Sequence, residues 1–291
     1  LKGADWGTKS DVNVTFMKID PLAHFEKILF LKRYSKQTID SYISHLRMAQ
    51  GFFEDKNFNI ITDKDWFNYV FHLVNTKNIA ASTQRQVVGS LKLFYKEVYN
   101  LDRDFSKLVV SQRENKIPDV LTVNEMKLIL NHTKNLKHKA LLSLLYGSGL
   151  RIGELLELKL TDINSERMTV HVRQAKGKKD RLTILSSNVL KVLRKYFEEY
   201  EPKVYLFEGQ NGGKYSAGSA RKILKRSMTM ARINKVATLH TLRHSFATHL
   251  LENGVGISHI QKLLGHQNIK TTLIYTYIAN DSLIAIKSPL D

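Results

Sequence analysis

Between Asn100 and Pro118 the hydrophobic periodicity that governs the first hundred residues gives out, and no single core can run through the break. Asp102, Arg103, Asp104, Lys107, Arg113, Glu114 and Lys116 crowd into the stretch, and Pro118 blocks any helix from passing through it. The 291-residue chain therefore reads as two domains, 21–100 and 119–291, joined by a charged linker over 101–118.

The first domain is expected to be helical throughout. Over Thr38–Phe53 the apolar residues Ile39, Tyr42, Ile43, Leu46 and Phe53 recur at helical spacing, which makes one buried face. The pattern predicts a second helix over Asp63–Asn75, with Trp66, Phe67, Val70, Phe71 and Val74 turned inward. A third starts after Ser82, read as its N-cap, and carries Val87, Val88, Leu91, Phe94, Tyr95 and Val98. Residues 1–20 form a polar lead-in; Leu1–Ser10 holds neither an initiator Met nor the apolar centre of a signal peptide, and reads as a trimmed start.

The second domain mixes the two periodicities. Thr122 followed by Glu125 is a capping-box pattern, and helices are expected over Thr122–Asn131, over Lys137–Tyr146 and on to Leu158 after the Gly147-Ser148-Gly149 turn. Met168–Arg173 alternates as a strand and Leu182–Leu185 reads as its partner, with Lys176-Gly177-Lys178-Lys179-Asp180 at the hairpin tip. Helices resume from Ser187 and again from Ser216. The expected class is mainly α with a small β-sheet.

Charge narrows the partner. Lys and Arg outnumber Asp and Glu by 45 to 27, a formal charge of +18, which in a globular chain favours a polyanion. With no cysteine, disulfides, thiolate zinc sites and cysteine nucleophiles are excluded. No apolar run approaches the roughly 20 residues that span a bilayer. On the first domain Arg47 and Arg85 are candidate phosphate contacts, although exposed cations on helices are commonplace. Arg221, Lys222, Lys225 and Arg226 make a basic stripe on the helix from Ser216, assigned to a DNA face together with Lys178, Lys179 and Arg181 of the hairpin.

Four features could carry chemistry, and each alone has a plainer reading. Arg151 follows a glycine turn at a helix start, where a guanidinium and backbone N–H groups can grip a phosphate; it could equally be a solvated surface Arg. Lys176 on the hairpin could reach a leaving oxygen, or simply sit in water. His240 and Arg243 stand three apart on one helix, able to meet one phosphate. A zinc reading of the neighbouring His244 and His249 fails, because the metalloprotease Glu is missing and no carboxylate is near. Last come His266, in Leu263-Leu264-Gly265-His266, and Tyr275 nine residues on. A phenol with a pKa near 10 needs a base or a positive field to attack phosphorus, and Tyr275 could instead be a core residue.

The order of these features resembles the tyrosine recombinase (integrase) family: Arg, Lys on a hairpin, His-x-x-Arg, Gly-His, then Tyr. Arg151, Lys176, His240, Arg243, His266 and Tyr275 take its six active-site positions. Leu239–Leu251, LHTLRHSFATHLL, and LLGHQNIKTTLIYTYI from Leu263 look like the Xer branch. The match covers Asp119–Asp291 specifically and the helical domain in architecture. Where Xer proteins usually read Tyr-Thr-His, this chain has Tyr275-Thr276-Tyr277, so Tyr277 stays a competitor for the nucleophile.

The resemblance implies a two-domain DNA clamp that cuts and rejoins double-stranded DNA through a 3′-phosphotyrosyl link, with no metal and no cofactor. Tyr275 would attack, Arg151 and Arg243 would hold the non-bridging oxygens, and Lys176 would protonate the departing 5′-oxygen. His240 would take the tyrosine proton and His266 would hydrogen-bond the phosphate. Glu154, three residues past Arg151, is expected to orient a cation. The implied setting is a homotetramer resolving chromosome dimers at a dif-like site, in the cytoplasm at the nucleoid, with a DNA translocase as candidate activator. The apolar Leu283, Ile284 and Ile286 would dock on a neighbouring protomer or fold back on their own domain. A phage or mobile-element integrase shares the same chemistry, with the absence of an arm-binding module before Pro21 favouring the Xer type. A related DNA-relaxing topoisomerase fits the Xer-like wording less well. A non-catalytic DNA-binding protein would be expected to lack one of the six residues.

Overall fold

The computed structural model describes residues 20–110, 118–175 and 179–278. The lead-in, Lys176 and Lys178, the side chain of Lys179, the second part of the linker and the apolar residues after Ile278 lie outside them. The chain divides into two units, Leu1–Glu114 and Asn115–Asp291.

The first unit holds α1 (Pro21–Leu31), α2 (Lys36–Phe52), α3 (Asp63–Asn75) and α4 (Ala81–Tyr99). Asp20, Ser35 and Thr62 cap the first three through their side chains, and Thr62 with Asp65 completes a capping box. An aromatic centre of Phe25, Phe53, Phe58, Trp66, Phe94 and Tyr95 fills the core, and the Trp66 indole donates to Tyr95 Oη at 2.9 Å. The core extends past Asn100, because Phe105 and Leu108 are buried in it from a short 3₁₀ turn.

Two expectations are corrected here. α3 buries Trp66, Tyr69, Val70 and Leu73, whereas Phe67, Phe71 and Val74 are 51%, 59% and 40% exposed. The helix is apolar on two flanks, and only one meets the core. α4 begins at Ala81 with Ala80 as an N-cap that makes no side-chain bond, so Ser82 falls inside the first turn. The Gln84 N–H already reaches the Ala80 carbonyl at 3.0 Å, which starts the helix two residues earlier than the serine suggests.

In the second unit α5 (Val123–His132), α6 (Leu136–Gly147) and α7 (Ile152–Glu157) precede three strands, β1 (Ile163–Asn164), β2 (Thr169–Ala175) and β3 (Lys179–Ile184). Then follow α8 (Ser187–Tyr200), α9 (Ala217–Met230), α10 (Leu239–Glu252), α11 (Ile257–Leu264), the short α12 (Lys270–Leu273) and a 3₁₀ turn over Ile274–Tyr277. The fold is mainly α with a small sheet, as expected, and the sheet is antiparallel in the order β1-β2-β3.

β2 buries Val170 and Val172 against the helical core, and in register Val172 faces Arg181 and Val170 faces Thr183. Arg181 and Thr183 therefore share one face of β3. Thr183 Oγ1 donates to the Ser148 carbonyl at 2.9 Å, pinning β3 to the turn that ends α6. α10 is buried over Thr241–His249 apart from the half-buried His244, which makes it a central element of this unit. No helix among the described residues is long and apolar enough to cross a membrane.

Candidate active site

Gly149 follows α6 at φ +60°, a conformation that favours glycine, and a Cβ there would overlap the Phe246 ring. The turn lets the chain reverse over the buried Phe246 ring and brings Leu150 into the core. It then presents Arg151, the N-cap residue of α7. The Arg151 backbone N–H donates to Glu154 Oε2 and its Nη1 to Oε1, both at 2.8 Å.

Glu154 is the hub of a buried charge cluster. Arg181 donates from Nη1 to Oε1 at 2.8 Å and from Nη2 to Oε2 at 2.7 Å. Arg243 Nη1 lies 3.7 Å from the same carboxylate. Burial alone would raise the carboxyl's pKa, but hydrogen bonds from Arg181 and from the Arg151 backbone, with the arginine charges, hold it down to about 2. Three guanidiniums around one carboxylate leave a local surplus of positive charge.

Arg243 on α10 is fully buried. Nη1 donates to the Gly149 carbonyl at 2.7 Å and Nη2 to the Leu264 carbonyl at 2.6 Å, while Nε finds no partner among the described residues. Burial, with Arg151 nearby, pulls its pKa to about 9, which still leaves it protonated at neutral pH. Arg181 Nε donates to the Leu263 carbonyl at 2.8 Å, so two arginines hold the backbone just before His266. His266 itself pairs Nδ1 with Thr272 Oγ1 at 2.9 Å, and burial followed by the arginine charges pushes its pKa to about 4.

Tyr275 sits in the 3₁₀ turn, 1% exposed. Its ring lies nearly parallel to that of His266, centroids 6.4 Å apart. Its hydroxyl pairs with Nδ1 of His244 at 3.2 Å. Burial raises the phenol's pKa, while Arg243 and Arg151 pull it the other way. His240 is exposed one turn earlier on α10, its ring edge-on to His244 with centroids 4.4 Å apart. Tyr277 stands 73% exposed on the far side of the same turn.

The fold thus gathers Arg151, His240, Arg243, His266 and Tyr275 from four separate stretches, while Lys176 lies outside the described residues. Among the DNA-contact candidates, Arg181 is 8% exposed with both Nη atoms on Glu154, so its guanidinium is committed inside the protein. The α9 stripe divides between two cavities. Arg221 and Lys225 line one of about 620 Å³ that also includes Ile152, Lys235 and His240. Lys222 and Arg226 line another of about 470 Å³ with His138 and Tyr215. Arg47 is exposed beside Glu26 and Asp40, and Arg85 has a buried Nη1 without a partner among the described residues. Sequence reasoning passed over His244 as the hydroxyl's partner. Its spacing of i+4 from His240 was the available signal, since that places both rings on one helix face.

The phage integrase family matches residues 119–281, and the N-terminal SAM-like domain of phage integrases matches residues 22–104. A tyrosine recombinase, XerA, of Pyrococcus horikoshii is 35% identical over 268 residues, covering 91% of each chain. A putative integrase/recombinase of Sinorhizobium fredii is 34% identical over 260 residues, covering 87% of this chain and 84% of the relative. The fold is shared with the crystal structure of XerH site-specific recombinase bound to palindromic difH substrate, at a TM-score of 0.71 and 21% identity over 90% of this chain and 82% of that one.

Proposed function

Because the chain belongs to the phage integrase family, as a tyrosine recombinase of Xer type, we propose that Tyr275 is the nucleophile of its DNA strand exchange. The observation that carries this reading is the place of the Tyr275 hydroxyl, beside His244 and His266 and within the field of Arg243 and Arg151. Tyr277 is exposed and has no such surroundings among the described residues.

In this reading the Tyr275 oxygen attacks the scissile phosphorus of double-stranded DNA. A phosphotyrosyl bond forms at the 3′ side, the P–O5′ bond breaks, and the 5′-oxygen leaves with a proton from Lys176. Arg151 and Arg243 bind the non-bridging oxygens as negative charge grows on them; the unpartnered Arg243 Nε is one donor available for that task. His266 adds a hydrogen bond to the phosphate, and the phenolic proton passes to the histidines of α10. The covalent link keeps the phosphodiester's energy, so the 5′-hydroxyl of the incoming strand reseals the backbone without ATP. Since Tyr275 and Arg243 are buried, productive binding opens the site around them.

For the wider setting we infer a homotetramer at a dif-like chromosomal site at the nucleoid, with a DNA translocase as activator; the XerH recombinase of like fold, bound to difH substrate, supports the choice of site. The similarity to the Sinorhizobium integrase/recombinase supports a second reading, a mobile-element integrase using the same residues. A nicked suicide substrate tests the chemistry. The native protein and Tyr277→Phe trap a covalent protein–DNA adduct on a denaturing gel, and Tyr275→Phe traps none. An adduct from Tyr275→Phe that Tyr277→Phe lacks would move the nucleophile to Tyr277. Recombination between two copies of a dif-like site, against excision of a flanked element, separates the two biological settings.

A further inference from the structure

The residue in hydrogen-bond contact with the nucleophile is His244. Its Nδ1 lies 3.2 Å from Tyr275 Oη, inside the reach a proton acceptor needs. His240 meets the site through the edge of the His244 ring and is exposed. The two histidines occupy successive turns of α10, a helix that buries nine of its fourteen residues.

We propose that His244 is a further catalytic residue, the direct acceptor of the Tyr275 proton during cleavage and its donor on religation. The inference rests on Tyr275 being the nucleophile. As the Tyr275 oxygen bonds to phosphorus its O–H bond breaks, and the proton moves to the Nδ1 lone pair of His244. That requires the resting His244 to carry its hydrogen on Nε2. On rejoining, the phosphotyrosyl bond breaks and the imidazolium returns the proton to the phenolate. His240, edge-on to His244 and exposed, stands on the solvent side of the transfer.

The surroundings match the task. The charged and titratable groups around His244 are His240 and Arg243 on its own helix and Tyr275 from the 3₁₀ turn, with Arg151 and His266 acting on Tyr275 in turn. Burial, then the charges of His240 and Arg243, push His244 down to about 4, so its ring is neutral at neutral pH, and Nδ1 is the acceptor in the tautomer that carries hydrogen on Nε2. A scissile phosphate between Arg151 and Arg243 brings a negative charge that offsets the arginine field. The acceptor thereby becomes more basic when substrate is seated, and not before.

The test is single-turnover cleavage of a nicked site by His244→Asn, whose side-chain oxygen sits near the place of Nδ1 but takes up no proton. Cleavage is expected to slow by about 100-fold or more, with DNA affinity unchanged. Replacing Tyr275 by a fluorotyrosine of lower phenol pKa should recover more of that rate in His244→Asn than it adds in the native protein. Cleavage at the native rate would overturn the proposal. Faster cleavage would as well, since His244 would then be a latch holding Tyr275 at rest. Tyr275→Phe run alongside separates the two ideas: an adduct from it sinks the nucleophile, whatever His244 does. Should His244→Asn fail to fold, the ¹⁵N shift of His244 in the native protein decides, and a protonated Nδ1 at neutral pH overturns the assignment.

Discussion

Arg181 reaches back 27 residues from β3 to seat its guanidinium on both carboxylate oxygens of Glu154, at 2.8 and 2.7 Å. The same side chain holds the Leu263 carbonyl, and its Cδ fills the space that a Cβ on Gly265 would enter, at 2.7 Å. One arginine thus links the hairpin strand, the turn carrying Arg151 and the loop carrying His266.

Glu154→Ala should therefore destabilise the second unit by about 3–5 kcal/mol, because it leaves buried arginine charge without its counter-ion. Denaturant midpoints measure the loss. A variant within about 0.5 kcal/mol of the native protein would show that Glu154 is dispensable.

Acid should act through the same carboxyl. Glu154 is held at about 2 against an ordinary 4.5, so its folded pKa lies below its unfolded one. The stabilisation, about 3 kcal/mol, is complete above pH ~4.5 and drains away as the pH falls toward 2. In a urea series over that window Glu154→Gln should show a flatter decline than the native protein. Parallel declines would place the acid sensitivity elsewhere.

Gly149→Ala should cost about 3 kcal/mol, from the left-handed backbone and from the overlap with Phe246. Because Gly149 also supplies the carbonyl that receives Arg243 Nη1, cleavage should fall further than stability alone explains. A variant that melts early yet cleaves normally once folded would break that connection.

DNA binding should distinguish the two rows of α9. Arg221 and Lys225 share a cavity with His240, so Arg221→Gln and Lys225→Gln should each lower the slope of log affinity against log salt by about 0.9. Lys222→Gln and Arg226→Gln, on the other cavity, should leave the slope unchanged. Anisotropy titrations at several salt concentrations read the difference, and equal slopes for all four variants would remove the distinction.

Much of this molecule is legible in its sequence. Helical spacing locates α2, α3 and the Thr122–Glu125 start of α5, since capping and amphipathic burial are local properties. The ordered motif from Arg151 to Tyr275 names the chemistry, because reactive side chains must be of particular types. Periodicity could not say which apolar flank of α3 meets the core, and Phe67 and Phe71 ended on the outside. Nor could it foresee that Arg181, one cation in a basic hairpin, is drawn inward.

By itself, then, the sequence determined the two domains, the small hairpin sheet and the candidates for the reacting groups. Tertiary structure alone decided who touches whom: Arg181 on Glu154, Arg243 on the Gly149 and Leu264 carbonyls, and His244 on Tyr275 across 31 residues. The physical reason is that hydrophobic pattern and capping act over a few residues. A buried charge or hydroxyl instead takes whatever partner the packed core brings within about 3 Å, and that depends on every intervening turn.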